Sequence, residues 1–189
     1  MTNADTGRPE VVDLVQLFDR LATLPRTGWL LRGVVDPESI AEHSFGVAVV
    51  AALIVDDLRA KGETVDGERV LRMALVHDIA EVFTGDIPMP AKSEALRAAL
   101  AEAEEATLAK SIPPAQLALW IEAERGATLE ARIVKAADKL QMIIKALTYT
   151  QQKRGNLEEF FEGKNRRTMG LAFVEEALKE VDALRGQAT

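Results

Sequence analysis

The sequence predicts an all-α fold, a compact bundle of about seven helices, and three observations carry that prediction. Apolar residues recur at three- and four-residue spacing along most of the chain, no segment shows a convincing alternation of period two, and the stretches between periodic segments are mostly short. Helices that bury one face against each other require this pattern. One domain is expected over residues 1–189, with the chemistry-bearing segments between 26 and 140.

The first helix is expected over about residues 11 to 24, with Val12, Val15, Phe18 (beside Leu14) and Ala22 on one side and Pro25 as its stop. Asp36-Pro37 then reads as an N-cap followed by proline at the first helical position, opening a long helix to about Lys61. Its stripe runs Ile40, His43, Val47, Val50, Ile54 and Leu58. A third helix starts after Asp66, carries Val70, Leu71, Ala74 and His77, and meets a turn at Thr84-Gly85-Asp86. Residues 91 to 110 form a charged amphipathic helix, which Pro113-Pro114 separates from a shorter one ending near Gly126. The next is expected from about Thr128 to Lys153 with Ile133, Ala137, Leu140, Ile144 and Leu147 inward, and the last runs from after Asn165 to about Leu184. Residues 155 to 165, rich in Gly, Asn and Glu, read as a surface connection, or as a lid if they lie near a site.

A chain of 189 residues buries roughly 70% of the surface its unfolded form exposes, so it needs no covalent staples. Its composition, 48% hydrophobic and 28% charged with a mean hydropathy of −0.01, is that of an ordinary globular protein. No apolar run reaches membrane-spanning length, so no membrane partner is expected. The opening MTNADTGRPEVVD lacks a basic region followed by an apolar core, which makes the cytoplasm the default location. A net charge of −7 disfavours nucleic acid as a large partner. A small phosphorylated ligand is still admissible, because one or two placed arginines override the global field inside a pocket. The absence of cysteine removes disulfides, thiolate catalysis and thiolate metal sites, so any metal must be held by imidazole and carboxylate.

The chain has only two histidines, His43 and His77, and the stretch LVHDIAEVFTGDIP packs His77, Asp78, Glu81 and Asp86 into fourteen residues, 75 to 88. Taken singly, each has an ordinary reading: His43 as a hydrogen-bonded core histidine, Glu81 and Asp138 as solvated residues, Asp86 as a turn former. Together they are harder to dismiss. If the helix continues, Glu81 lies at i+4 from His77 and i+3 from Asp78, so the three share one wall, which Val70 and Ala74 extend toward the core. Unpaired carboxylates buried there would cost several kcal/mol, so a cation is expected. A divalent ion accounts at once for the His-Asp pair, for His43 on another long helix and for Asp138 on an apolar helix. Two imidazoles and two carboxylates suit Mn, Co, Fe or Zn, with Mg also admissible. A water on such an ion becomes a nucleophile near neutral pH, and a neighbouring carboxylate takes or directs its proton.

The order His43, His77-Asp78, Asp138 resembles the H…HD…D signature of the HD-domain superfamily of metal-dependent phosphohydrolases. RTGWLLRG, ESIAEHSFGVA, HDIAEVFTGDIP and KAADKLQ are most similar to its YfbR-like 5'-deoxynucleotidase branch, over about residues 15 to 150. The resemblance implies an HD-domain helical bundle in which His43, His77, Asp78 and Asp138 bind one metal ion, with Glu81 and Asp86 beside the metal-bound water and substrate. It implies release of phosphate from deoxyribonucleoside 5'-monophosphates, and a homodimer. In that branch an arginine just before a tryptophan holds the phosphate and the tryptophan helps reject a 2'-hydroxyl. Trp29 has its counterpart here, but Gly28 precedes it, so Arg26 is the nearest candidate, Arg32 the second, and Lys92 a further phosphate contact. Lys139, next to a proposed ligand, is expected to diverge from it. Two alternatives are a compact HD-type dNTP triphosphohydrolase, which needs more positive charge around its pocket, and a non-catalytic nucleotide or metal sensor, which should lack some of these side chains. The helices at 91 to 110 and at the C-terminus have apolar residues enough for a dimer interface.

Overall fold

A computed structural model describes residues 10–88, 91 and 93–187, and these form helices, turns and loops without a β-strand. The chain runs through α1 (Val11–Asp19), a 3-10 turn (Arg20–Thr23), α2 (Thr27–Leu30), α3 (Ile40–Ala60), α4 (Gly67–Val76) and α5 (Glu81–Thr84). It continues through α6 (Glu94–Ser111), α7 (Pro114–Arg125), α8 (Leu129–Gln151), two 3-10 turns (Glu158–Phe161 and Gly163–Arg166) and α9 (Ala172–Gly186). The seven longer helices match the seven expected from periodicity. Four residues cannot display a 3.6-residue period, so α2 and α5 are not visible that way.

Helices α3 and α8 pack along each other, α4 lies against both, and α7 and α9 cover the outer sides of α4 and α8. The core lies between them: Val47, Ala51 and Ile54 of α3, Val70 and Met73 of α4, and Ile133, Leu140 and Ile143 of α8 are all at most 1% exposed. Each such aliphatic contributes about 1.5–3 kcal/mol on burial. Ala136, Ala137 and Ala146 are also fully buried and let α8 come close to its neighbours.

Several boundaries and faces differ from expectation. The long helix starts at Ile40, because a capping box wins over Asp36-Pro37: Glu42 N donates to Ser39 Oγ (3.2 Å) and Ser39 N donates to Glu42 Oε2 (2.7 Å). Asp36 instead takes φ +49°, which no helix start can use. In α1 the inward residues are Leu14, Leu17 and Phe18, while Val12 and Val15, and Ala22 in the 3-10 turn that follows, are exposed. The sequence VVDLVQLFD is apolar around most of its circumference, and the face with the larger side chains takes the core. In α8, Ile133, Ala137, Leu140 and Leu147 are buried as expected, but Ile144 is 40% exposed and Ile143 is buried. The last helix starts at Ala172, after the 3-10 turns.

No helix among the described residues is long and apolar enough to cross a membrane. Exposed apolar residues gather on α1 and α3 more than on α6 and α9: Phe45, Val49 and Leu53, spaced four apart on α3, are 70%, 45% and 51% exposed.

Candidate metal centre and pocket

Three segments converge at one end of the α3–α8 pair. His43 lies on α3, fully buried; Asp138 lies on α8; and His77 and Asp78 open the turn where α4 ends. His43 Nε2 is 3.2 Å from Asp138 Oδ1 and 3.7 Å from Asp78 Oδ2, and His77 Nε2 is 3.3 Å from Asp78 Oδ2. Donor atoms of His43, His77 and Asp138 all lie within 4.8 Å of one another, and Asp78 touches both rings.

The protonation geometry fits a cation at that point. His43 Nδ1 bonds to Gln141 Oε1 (2.6 Å) and His77 Nδ1 to the Ala74 carbonyl (2.8 Å), so each ring has its Nδ1 engaged. Both Nε2 atoms are buried without a hydrogen bond, and their approaches to the carboxylates lack hydrogen-bonding geometry. Leaving such a group unsatisfied costs about 1–3 kcal/mol. Two imidazole nitrogens facing two carboxylates make a donor set suited to a divalent transition ion, so the residues present fit the expected metal.

Burial opposes ionisation of Asp78, but His77, Arg26 and His43 hold its carboxyl below the usual range against the like charge of Asp138. For Asp138 burial again works upward, and Lys139, His43 and His77 win, holding it well below. The Lys139 ammonium sits 2.9 Å from Asp138 Oδ2, so it does not diverge from its neighbour; its long stem folds back over the carboxylate. Arg26 Nη1 is 3.2 Å from Asp78 Oδ2; burial acts to lower its pKa, and Asp78, Asp138, Asp86 and Glu81 raise it further above its ordinary value.

A pocket of about 330 Å³ opens over this cluster. Arg26, Asp78, Glu81, Asp86 and Asp138 line it, so Asp78 and Glu81 share a wall, although not on one helix, while His77 is not among the described lining residues. The α4 helix stops at Val76, and Glu81 N bonds back to Asp78 O (3.0 Å) across a turn, which keeps the spacing that brings the carboxylates to one side. Asp86 Oδ2 also accepts from Thr27 N (2.6 Å), tying the Gly85 turn to the start of α2. Trp29 is 1% exposed and meets the pocket only at its edge, packed on Phe160 with ring centroids 4.3 Å apart. Arg32 stands at the rim with its guanidinium on Glu159. Gly28 lines the pocket, where a Cβ would come 3.9 Å from Phe160, and Arg26 lines it two residues earlier. Lys92 lies outside the described residues.

The signature family model described as "HD domain" matches residues 18–177. The chain belongs to the HD domain family. This HD domain is similar to 5'-deoxynucleotidase HDDC2 of Xenopus laevis, 37% identical over 158 residues that cover 80% of this chain and 76% of that one. Among solved structures it resembles the PH0347 protein of Pyrococcus horikoshii OT3, 37% identical with a TM-score of 0.81 over 92% of this chain and 99% of that one. It shares its fold with the cyanophage S-2L HD phosphohydrolase DatZ, described as bound to dA and one catalytic Zn2+ ion, at 23% identity and a TM-score of 0.56, covering 95% and 94% of the two chains.

Some residues of this HD-domain site carry little signal in the sequence. Glu159, Phe160 and Asn165, from the stretch read as a connection or lid, line the pocket with Met142. The adjacent pair Phe160-Phe161, with Leu157, stands out in a stretch otherwise made of Gly, Asn, Glu and Lys. Glu38 and Gln141 form a buried layer behind the ligands, and only the i+3 spacing of Gln141 from Asp138 on α8 hints at it.

Proposed function

We propose that this HD domain hydrolyses deoxyribonucleoside 5'-monophosphates to deoxyribonucleoside and orthophosphate. The observation that carries the reading is the convergence of both buried histidine Nε2 atoms on Asp78 and Asp138, two carboxylates that line a pocket together with Arg26. The named HDDC2 relative supports the same substrate class.

In this reading His43, His77, Asp78 and Asp138 hold one divalent ion. When bound, that ion supplies Lewis-acid charge and lowers the pKa of water toward neutrality. Arg26 presents its fork to the phosphate oxygens and offsets charge as the phosphorus–oxygen bond to the sugar lengthens. Glu81 and Asp86, on the same pocket wall, orient the attacking water and accept its proton. The departing sugar oxygen gains a proton and the phosphorus keeps the water oxygen. Trp29 Nε1 is committed to Glu38 Oε1 (3.1 Å), so the Trp29–Phe160 edge offers no donor to a ribose 2'-hydroxyl. An apolar wall of this kind discriminates by about 10²-fold at most.

Pocket charge favours a monophosphate over a triphosphate. Among described lining residues the cations are Arg26, Arg32 and Lys139, each already beside a carboxylate, and Asp78, Glu81, Asp86, Asp138 and Glu159 outnumber them. All the expected imidazoles and carboxylates are present, which counts against a non-catalytic sensor. We place the enzyme in the cytoplasm, as a homodimer joined through the exposed Phe45, Val49 and Leu53 stripe, and the mass in solution checks the dimer.

The testing experiment is a panel of Mn, Co, Zn and Mg against dNMP, NMP and dNTP, with orthophosphate and triphosphate read separately. Orthophosphate from dNMP, with weaker NMP turnover, is expected. Triphosphate from dNTP without dNMP turnover would overturn the reading.

A further inference from the structure

Behind the ligand cluster lies a chain of buried polar groups with one direction of hydrogen bonding. Glu38, 4% exposed, accepts from Trp29 Nε1 at Oε1 (3.1 Å) and from Gln141 Nε2 at Oε2 (3.0 Å). Its backbone carbonyl accepts from Arg26 N (3.0 Å), and its backbone N–H donates to Tyr149 Oη (2.8 Å). Gln141, 6% exposed, turns its carbonyl to His43 Nδ1 at 2.6 Å. Lys145 lies 3.3 Å from Glu38 Oε2.

We propose that Glu38 is a positioning residue that, through Gln141, sets the tautomer and orientation of His43 and couples them to the pocket edge at Trp29. This rests on the reading of His43 as a metal ligand. An ionised carboxylate only accepts, so the Gln141 amide must turn its NH2 to Glu38 and its oxygen to His43. That oxygen accepts the Nδ1 proton, which leaves the Nε2 lone pair facing His77, Asp78 and Asp138. A flipped Gln141 would instead offer NH2 to Nδ1 and move the ring proton to Nε2, where it blocks ligation. His77 needs no such device, because the Ala74 carbonyl can only accept.

An independent feature points to the same role. Gly46 lies in the interior of α3, where glycine costs roughly 0.5–1 kcal/mol relative to alanine. A Cβ there would come 2.9 Å from both Cγ and Nε2 of Gln141. The glycine provides the space in which the Gln141 side chain lies flat and reaches His43.

The test compares zinc affinity, by chelator competition, in wild type, Glu38→Gln and the exchange variant E38Q/Q141E. Glu38→Gln keeps shape but can donate as well as accept, and should weaken zinc binding about 10- to 100-fold. In E38Q/Q141E the acceptor-only group moves next to His43, so most of the affinity should return; a packing role would not be repaired by this exchange. With 15N-labelled histidine the two rings, one per histidine, give separate signals. In zinc-loaded wild type the His43 Nδ1–H should exchange slowly with water, and Glu38→Gln should speed it while leaving His77 unchanged. Wild-type affinity and exchange in folded Glu38→Gln, or no recovery on exchange, overturns the proposal. If Glu38→Gln does not fold, rapid His43 Nδ1–H exchange in zinc-loaded wild type overturns it and slow exchange supports it. These measurements need no substrate: zinc binding as described with no nucleotide turnover removes the functional reading alone, whereas zinc that perturbs neither histidine removes both.

Discussion

Asp138→Ala is expected to lose bound zinc or manganese and to cut orthophosphate release from a deoxynucleoside monophosphate by on the order of 10³-fold or more. The side chain is one of two carboxylates facing the buried Nε2 atoms, and its removal leaves two imidazoles and one carboxylate. Both the Lewis acid and the lowered water pKa depend on the ion staying in place. Asp138 is 20% exposed in its side chain and forms no part of the aliphatic core, so the helical circular-dichroism signal should persist. Metal content by mass spectrometry and phosphate release under saturating substrate check the result. His77→Ala should behave alike, and unchanged metal content with unchanged activity in both variants would remove the site.

Arg26→Ala should lower kcat/KM by about 10²–10³-fold, the usual cost of removing one preorganised donor to developing charge. Metal content should stay near wild type, because a bound cation replaces the counter-charge that Arg26 gives Asp78 across 3.2 Å. This pattern separates Arg26 from the ligands, whose loss removes metal and activity together. Arg26→Lys keeps the charge and loses the planar fork, so it should recover only part of the loss. Arg32→Ala should cost less, since its guanidinium is already on Glu159 at the rim. Steady-state kinetics on the three variants decide between the arginines: a larger loss from Arg32→Ala would move the phosphate-holding role there.

The long helices and the site show different kinds of legibility. A stripe such as Val47, Val50 and Ile54 is repeated often enough to announce a buried face, and all three are buried. The convergence of His43, His77-Asp78 and Asp138 was legible because a chain with only two histidines places both among apolar neighbours and beside acids. Lys139 was not legible, because a residue next to a ligand points away by helical geometry, and only its four-carbon stem returns the ammonium to Asp138. The Glu159, Phe160 and Asn165 side of the pocket depends on where a loop lands, which no local period encodes. The Ser39 capping box was written in the sequence as Ser-Ile-Ala-Glu and competed with Asp36-Pro37, a second plausible start three residues earlier.

His43, His77, Asp78 and Asp138 together are expected to hold one divalent ion. Anomalous diffraction at the zinc or manganese edge, from crystals of the metal-loaded protein, tests it most directly. One strong peak is expected within about 2.0–2.2 Å of both Nε2 atoms and of one carboxylate oxygen from each aspartate. A metal peak elsewhere with these four side chains unligated, or no peak in loaded crystals, would contradict it.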